Sequence, residues 1–246
     1  MDGLIIAAVG AAFFTGGFVK GVVGVGLPLT SIALMTLFLD LRIAVPLLVG
    51  PIVVTNLVQA LRGDRFWELL RRYWLMLVTA SIGVWGGAAL LYRVELSYLL
   101  VTLGLVVVAY SLINLFSVRL SISEKTIPIV SPLVGLVSGL LAGTTGSLGV
   151  PVMIYYQALG MVKDVFVQAV GVNFLFTSSL LALALIYEDG LNAETLPLTV
   201  LAIVPAFIGM YTGQLARNRV SEDRFRTCLW IFLLLIGANL IRKGVF

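Results

Sequence analysis

Residues 13–29, FFTGGFVKGVVGVGLPL, form an apolar stretch that is interrupted by glycines, contains one lysine and closes with a proline. A related stretch, residues 136–152, LVSGLLAGTTGSLGVPV, follows half a chain length later in this chain of 246 residues. Matching positions carry the same residues, namely Gly16, Gly26 and Pro28 in the first stretch and Gly139, Gly149 and Pro151 in the second. The sequence therefore predicts two copies of one unit, residues 1–122 and 123–246, within one domain.

The composition indicates a protein that is solvated by lipid. Hydrophobic residues make up 60% of the chain and charged residues only 11%, and the mean hydropathy is +1.10. A soluble domain has roughly a quarter of its residues charged. Backbone amides in hydrocarbon must bond internally, and apolar runs of about 20 residues are typical of helices. We therefore predict an all-α integral membrane protein of the cell (inner) membrane, with several crossings.

The chain has one cysteine, Cys228, and no histidine. A disulfide within a monomer, most thiolate metal sites and every serine or cysteine nucleophile activated by histidine are thereby excluded. We expect no catalytic residues, no metal, no cofactor and no enzyme activity. The net charge of +4 fits loops that set membrane topology better than a nucleic-acid surface, so the expected partners are the lipid bilayer and a small ligand. The sequence leaves the oligomeric state open, including a homo-oligomer.

Each glycine-rich stretch predicts a broken helical hairpin, because both of its apolar arms are too short for a hydrocarbon core of about 30 Å. The predicted arms are 4–19 and 27–39 around a break at 20–26, and 127–142 and 150–161 around a break at 143–149. Three longer apolar spans follow each hairpin, at 43–61, 73–92 and 96–118 and at 165–187, 196–216 and 225–241. Glycines spaced four apart predict close helix packing at Gly83 and Gly87, at Gly209 and Gly213, and at Gly135, Gly139 and Gly143.

Loop charges predict that the two halves have opposite orientations in the membrane. The loop after the first long span carries Arg62, Arg65, Arg71 and Arg72, whereas the equivalent loop of the second half has no base and carries Glu188, Asp189 and Glu194. The next pair of loops has the reverse bias, with one arginine after residue 92 and Arg217, Arg219, Arg224 and Arg226 after residue 216. Positive loops face the cytoplasm. We therefore predict an inverted-topology repeat in which each half is a broken, re-entrant hairpin plus three transmembrane helices. Counting each hairpin as one helix gives four segments per half and puts both loops on one side.

Broken helices of inverted repeats hold substrates near the membrane midplane, so the two breaks are the predicted binding site. Glycine allows close approach to the backbone, and the start of a helix favours an anion. A buried lysine needs a partner, and no acidic residue is near Lys20 in the sequence. The predicted substrate-binding residues are Lys20, Gly21, Gly24, Gly26, Thr144, Thr145, Gly146, Ser147 and Gly149, with Pro28, Pro151, Gln168 and Asn173 in support. Gln168 and Asn173 are equally compatible with hydrogen bonds between helices.

The paired segments GVVGVGLP and GTTGSLGVP, each near the start of one half, resemble the sulfite exporter TauE/SafE family of membrane transporters. The resemblance covers essentially the whole chain. It rests on Gly21, Gly24, Gly26 and Pro28, and on Gly143, Gly146, Gly149 and Pro151. It implies transport of small sulfur-containing anions such as sulfite, sulfoacetate or related organosulfonates. We expect the transport to proceed by alternating access.

Several alternatives remain open on the sequence alone. The chain could transport another small anion, or serve as an accessory or assembly protein of a membrane complex without transport activity. Coupling is equally open: the proton could travel on the substrate, Asp40 or Asp164 could carry it, or transport could be passive.

Overall fold

The computed structural model describes residues 3–116, 121–217 and 221–246, and all regular elements of these residues are helical. Arg219, which the charge argument uses, lies outside the described residues. The helices are α1 Gly3–Val23, α2 Leu27–Met35, α3 Leu41–Leu61, α4 Phe66–Arg72, α5 Trp74–Arg93, α6 Leu96–Leu115, α7 Ile127–Thr145, α8 Val150–Ala158, α9 Lys163–Tyr187, α10 Thr195–Leu201, α11 Ile203–Ala216 and α12 Glu222–Val245.

Eight stretches of the described chain are long and apolar enough to cross a membrane. They are α1, α3, α5, α6, α7 with the turn before it, α9, α10 together with α11, and α12. This confirms the prediction of an all-helical, multi-pass membrane protein. The two remaining apolar helices, α2 and α8, have only nine residues each, or about 14 Å of length, which is less than half of a hydrocarbon core.

The first arm of each hairpin is longer than the sequence suggested. Helix α1 continues to Val23, so that only residues 24–26 separate it from α2. Helix α7 likewise continues to Thr145, and residues 146–149 separate it from α8. The predicted breaks at 20–26 and 143–149 were therefore too wide. Glycine is no helix breaker in lipid when a neighbouring helix packs against it and water is absent to bond a released amide.

The chain divides into two compact units, and each unit contains helices from both halves of the sequence. The first unit contains α1, α2, α3 as far as Pro51, α6, α10, α11 and α12. The second contains the rest of α3, then α4, α5, α7, α8 and α9. The repeat boundary at residues 122 and 123 concerns the sequence pattern, and it stays a prediction.

In the first unit, α1 packs along α11 through glycines on both helices. A side chain at Gly17 would overlap the carbonyl of Ala206, and one at Gly209 would overlap the carbonyl of Phe14. Helix α2 folds back along α1, and the Ser31 hydroxyl of α2 donates to the carbonyl of Ala12 on α1 at 3.3 Å. The predicted close packing at Gly209 is thus confirmed.

In the second unit, α5 packs along α7 in the same manner. Side chains at Gly83 and Gly87 would overlap the carbonyls of Leu136 and Leu140 on α7. Helix α8 folds back along α7, and the Val152 amide of α8 donates to the Ser138 hydroxyl of α7 at 3.2 Å. Here too the predicted glycine packing is confirmed.

Helix α3 contains two prolines, Pro46 and Pro51, and belongs to both units. Pro51 has no amide hydrogen for the carbonyl one turn earlier, that of Leu47. The Thr199 hydroxyl donates to this carbonyl at 2.9 Å and accepts the Gly50 amide at 3.1 Å. A buried threonine of α10 therefore replaces main-chain hydrogen bonding at the proline.

Candidate functional site

The first break is a tight glycine turn within the first unit. Gly24 and Gly26 have φ angles of 95° and 112°, which side-chain-bearing residues rarely adopt. The Gly24 amide still donates to the carbonyl of Lys20 at 2.8 Å. Gly26 then precedes α2 without any side chain capping the helix, and Pro28 lies in its first turn. The positive N-terminal end of α2 is therefore not neutralised by a capping side chain.

Two predicted residues of the first break lie in α1 instead. Lys20 is in the last turn of the helix and is only 5% exposed. Its charge is thus near the carbonyl end of α1, where a cation is favourable. Gly21 faces α11, and a side chain there would overlap the carbonyl of Met210. The placement of Gly21 in the break was wrong, because this glycine is needed for helix packing.

Thr30 is a buried polar residue of the first break that sequence reasoning missed. Its hydroxyl lies one helical turn after Gly26, 3.9 Å from the position that a Cβ atom of Gly26 would occupy. The residue is 1% exposed, and its hydroxyl has no hydrogen-bond partner among the described residues. Threonines inside helices commonly bond the carbonyl one turn earlier, so nothing in the sequence distinguishes this one.

The hydroxyl groups predicted at the second break are already bonded within the hairpin. Thr144 and Thr145 lie in the last turn of α7, and each donates to the carbonyl one turn earlier at 2.8 Å. The Ser147 hydroxyl is 2.6 Å from that of Thr145. Thr144 and Thr145 therefore belong to the helix and not to the break, a second correction to the predicted break. Their contact with a substrate stays a prediction.

Gly146 and Gly149 form the turn itself, with φ angles of 66° and 75°. The ring of Phe174 fills the space that a side chain at Gly149 would need. Pro151 lies in the first turn of α8, as Pro28 does in α2. This part of the prediction, glycine turns that lead into short proline-started helices, agrees with the structure at both breaks.

Asn173, next to Phe174 on α9, is 2% exposed. Its carbonyl oxygen is 3.5 Å from the Thr177 hydroxyl, while its amide nitrogen has no hydrogen-bond partner among the described residues. An unbonded buried donor is costly in a folded protein, by about 1–3 kcal/mol. Asn173 therefore remains a candidate for a ligand contact in the second unit.

Gln168 has a structural contact instead. Its side-chain amide donates to the carbonyl of Ala60 at 3.1 Å, and the side-chain amide of Gln59 donates to the carbonyl of Val167 at 2.6 Å. The two glutamines thus join the end of α3 to the start of α9. Of the two readings that the sequence allowed for Gln168, the geometry favours the hydrogen bond between helices.

Acidic residues contribute little to either break. Within the described residues, no group of three His, Cys, Asp or Glu side chains could hold a metal ion. Asp40 accepts the Arg42 amide at 2.8 Å at the start of α3, and Asp164 is exposed in the first turn of α9. The chemical groups available at the breaks are therefore main-chain amides, hydroxyls, one carboxamide and one buried lysine.

Comparison with known families gives one match. The model of the family described as Sulfite exporter TauE/SafE matches residues 8–240, which is nearly the whole chain. Searches of curated proteins and of solved structures found no significant match.

Proposed function

Because the chain belongs to the sulfite exporter TauE/SafE family, we propose that it transports a small sulfur-containing anion such as sulfite, sulfoacetate or a related organosulfonate. The observation that carries this proposal is the family match over residues 8–240. It identifies an integral protein of the cell (inner) membrane and a membrane exporter. The nature of the anion and the way it is bound are the parts that the proposal adds.

The proposed orientation of the first hairpin, open to one side of the membrane, is supported by contacts within the first unit. Lys243 at the end of α12 donates to the carbonyl of Leu37, just after α2, at 3.1 Å. Arg42 at the start of α3 donates to the carbonyl of Val94, in the turn between α5 and α6, at 2.9 Å. The open end of the first hairpin, where α2 ends, is therefore at the same end of the first unit as the start of α3.

The open end of the second hairpin lies with other loops of the second unit. The Ile122 amide donates to the carbonyl of Ala158, at the end of α8, at 3.0 Å. Arg72 and Glu124 form an ion pair at 2.5 Å, and this hydrogen bond raises the pKa of the Arg72 guanidinium. Helix α9 follows α8 directly, and its start is bonded to the end of α3 through Gln168 of α9 and Gln59 of α3.

The inverted orientation of the two halves is part of this proposal, and the loop charges support it. Four arginines follow the first long span, at positions 62, 65, 71 and 72, whereas the equivalent loop of the second half carries Glu188, Asp189 and Glu194 and no base.

In the proposed mechanism the anion is bound by the glycine breaks, with alternating access from the two sides. The starts of α2 and α8 supply main-chain amides and positive helix ends. Lys20 supplies a buried side-chain amine in the last turn of α1. That a single anion contacts both breaks stays a prediction from the sequence.

The test is transport by the purified full-length protein in liposomes. We expect uptake of radiolabelled sulfite above that of empty liposomes, and competition by unlabelled sulfoacetate. Lys20→Met should lower the uptake rate by about tenfold or more, since a hydrogen bond to a charged group contributes about 1.5–3 kcal/mol. Lys125→Met, at an exposed position, is the matched control. Uptake no faster than in empty liposomes for both anions would refute the proposed substrate class.

A further inference from the structure

We infer that the hydroxyl of Thr30, together with the first-turn amides of α2, binds an oxygen atom of the –SO₃ head group of the substrate. The inference rests on the proposed function and adds a residue that determines recognition. It also assigns head-group binding to the first hairpin.

Three properties of Thr30 support this role. The side chain is 1% exposed, so its hydroxyl has lost its bonds to bulk water. No described residue replaces them. The hydroxyl lies on the side of the turn, 3.9 Å from the Cβ position of Gly26. A buried hydroxyl without a partner is destabilising unless a ligand or a water molecule bonds it.

The surrounding backbone suits an anion. Helix α2 has nine residues, and no side chain caps its start. The amides of its first turn have no carbonyl one turn earlier to bind, and Pro28 removes only one of them. Two backbone donors and the Thr30 hydroxyl would match the several oxygens of a sulfite or sulfonate group, which accept hydrogen bonds in different directions.

The second hairpin differs at the corresponding place. Methionine, Met153, occupies the position that matches Thr30 in the repeat. The amide of Val152 in the first turn of α8 already binds the Ser138 hydroxyl. The hydroxyls of Thr145 and Ser147 bind each other. These hydroxyls and the Val152 amide are thus bonded within the second hairpin, so that the first hairpin, in which the Thr30 hydroxyl has no described partner, is the better receptor for the head group.

The matched pair for the test is Thr30→Val and Thr36→Val. Both substitutions remove a buried hydroxyl from the same hairpin and preserve the shape of the side chain. Thr36 donates to the carbonyls of Ile32 and Ala33 at 2.9 and 3.0 Å, whereas Thr30 donates to no described group. Purified full-length protein in detergent micelles would be studied by thermal unfolding, with and without sulfite or sulfoacetate, and by titration of each anion.

We expect Thr30→Val to weaken binding of both anions by at least about tenfold, while the melting temperature without anion is unchanged or higher. Thr30→Ser should retain most of the affinity, and Thr36→Val should bind as the unsubstituted protein does. Equal affinity of Thr30→Val and unsubstituted protein would overturn the role of Thr30 and leave the proposed function intact. A larger loss of anion-free stability in Thr30→Val than in Thr36→Val would also overturn it, because the hydroxyl would then have a structural partner. If the unsubstituted protein binds neither anion, both the proposed function and this inference fail.

Discussion

Glycines of α1 have different roles that depend on what surrounds them. A side chain at Gly17 would overlap the carbonyl of Ala206 on α11, whereas no atom lies within 4 Å of the Cβ position of Gly10. The sequence shows both as glycines in an apolar helix and cannot separate them. Only the position of the neighbouring helix determines which glycine is required.

Gly17→Ala should therefore destabilise the protein, by about 1–3 kcal/mol, because added atoms in a close-packed interface force the backbones apart. Gly10→Ala on the same helix should be neutral or stabilising by up to about 1 kcal/mol, because alanine favours helix. Unfolding in mixed detergent micelles measures both. Equal effects of the two substitutions would contradict the close contact between α1 and α11.

The candidate site shows the same limit at the scale of single residues. The glycine turns and Pro28 and Pro151 could be predicted from the sequence, because glycine and proline restrict or extend backbone conformation locally. Thr30 could not be predicted, because only the structure shows that its buried hydroxyl has no hydrogen-bond partner among the described residues. Nor could the placement of Gly21 within α1, which results from packing against α11.

At the scale of elements, α3 depends on a residue far away in the sequence. The Thr199 hydroxyl bonds the Leu47 carbonyl and the Gly50 amide beside Pro51. Buried backbone groups in lipid need a partner. A proline inside a membrane helix is readily seen in the sequence, but the threonine that compensates for it is not.

Thr199→Val should cost about 1–3 kcal/mol of stability, because it removes the hydroxyl that bonds the buried Leu47 carbonyl, for which Pro51 has no amide hydrogen. Thr212→Val is a suitable control, since that hydroxyl bonds the Ile208 carbonyl of its own helix at 2.9 Å. The control should change stability by less than about 0.5 kcal/mol. Indistinguishable unfolding of the two variants would show that the proline needs no such compensation.

The glutamine pair of α3 and α9 allows a second element-scale prediction. Gln168→Leu should lower stability by about 0.6–2 kcal/mol, the range for hydrogen bonds between membrane helices, and leave anion affinity unchanged. Gln157→Leu, at an exposed position of α8, is the control. Because Gln59 bonds the same helix pair, a double-mutant cycle should show coupling between residues 59 and 168. Loss of sulfite binding in Gln168→Leu would instead place this residue in the site.

At the scale of the whole molecule, the loop charges make a topology prediction that labelling can check. In protein whose exposed Cys228 has been replaced by serine, a cysteine at Glu194 should react with a membrane-impermeant reagent applied from outside intact cells. A cysteine at Arg71 should react only after permeabilisation. Both positions are exposed in the structure. Labelling of both from the same side would exclude the inverted repeat.

The class of fold was predictable because hydrophobicity and chain length leave few alternatives in a membrane. The eight long spans confirm that class, and the family match confirms the resemblance carried by the two glycine segments. The helix ends at Val23 and Thr145 were not predictable, since packing partners decide how far a glycine-rich helix continues. The division into two units was not predictable either, because each unit combines helices from distant parts of the chain.

Of the described helices, only α3 belongs to both units, and the division falls between Pro51 and Ile52. A helix bends most easily where a proline has removed a rung of its hydrogen-bond ladder. Bending of α3 should therefore concentrate beside Pro51. Thr199 bonds the Leu47 carbonyl and the Gly50 amide just before this point, so that loss of its hydroxyl should make the helix bend more easily there.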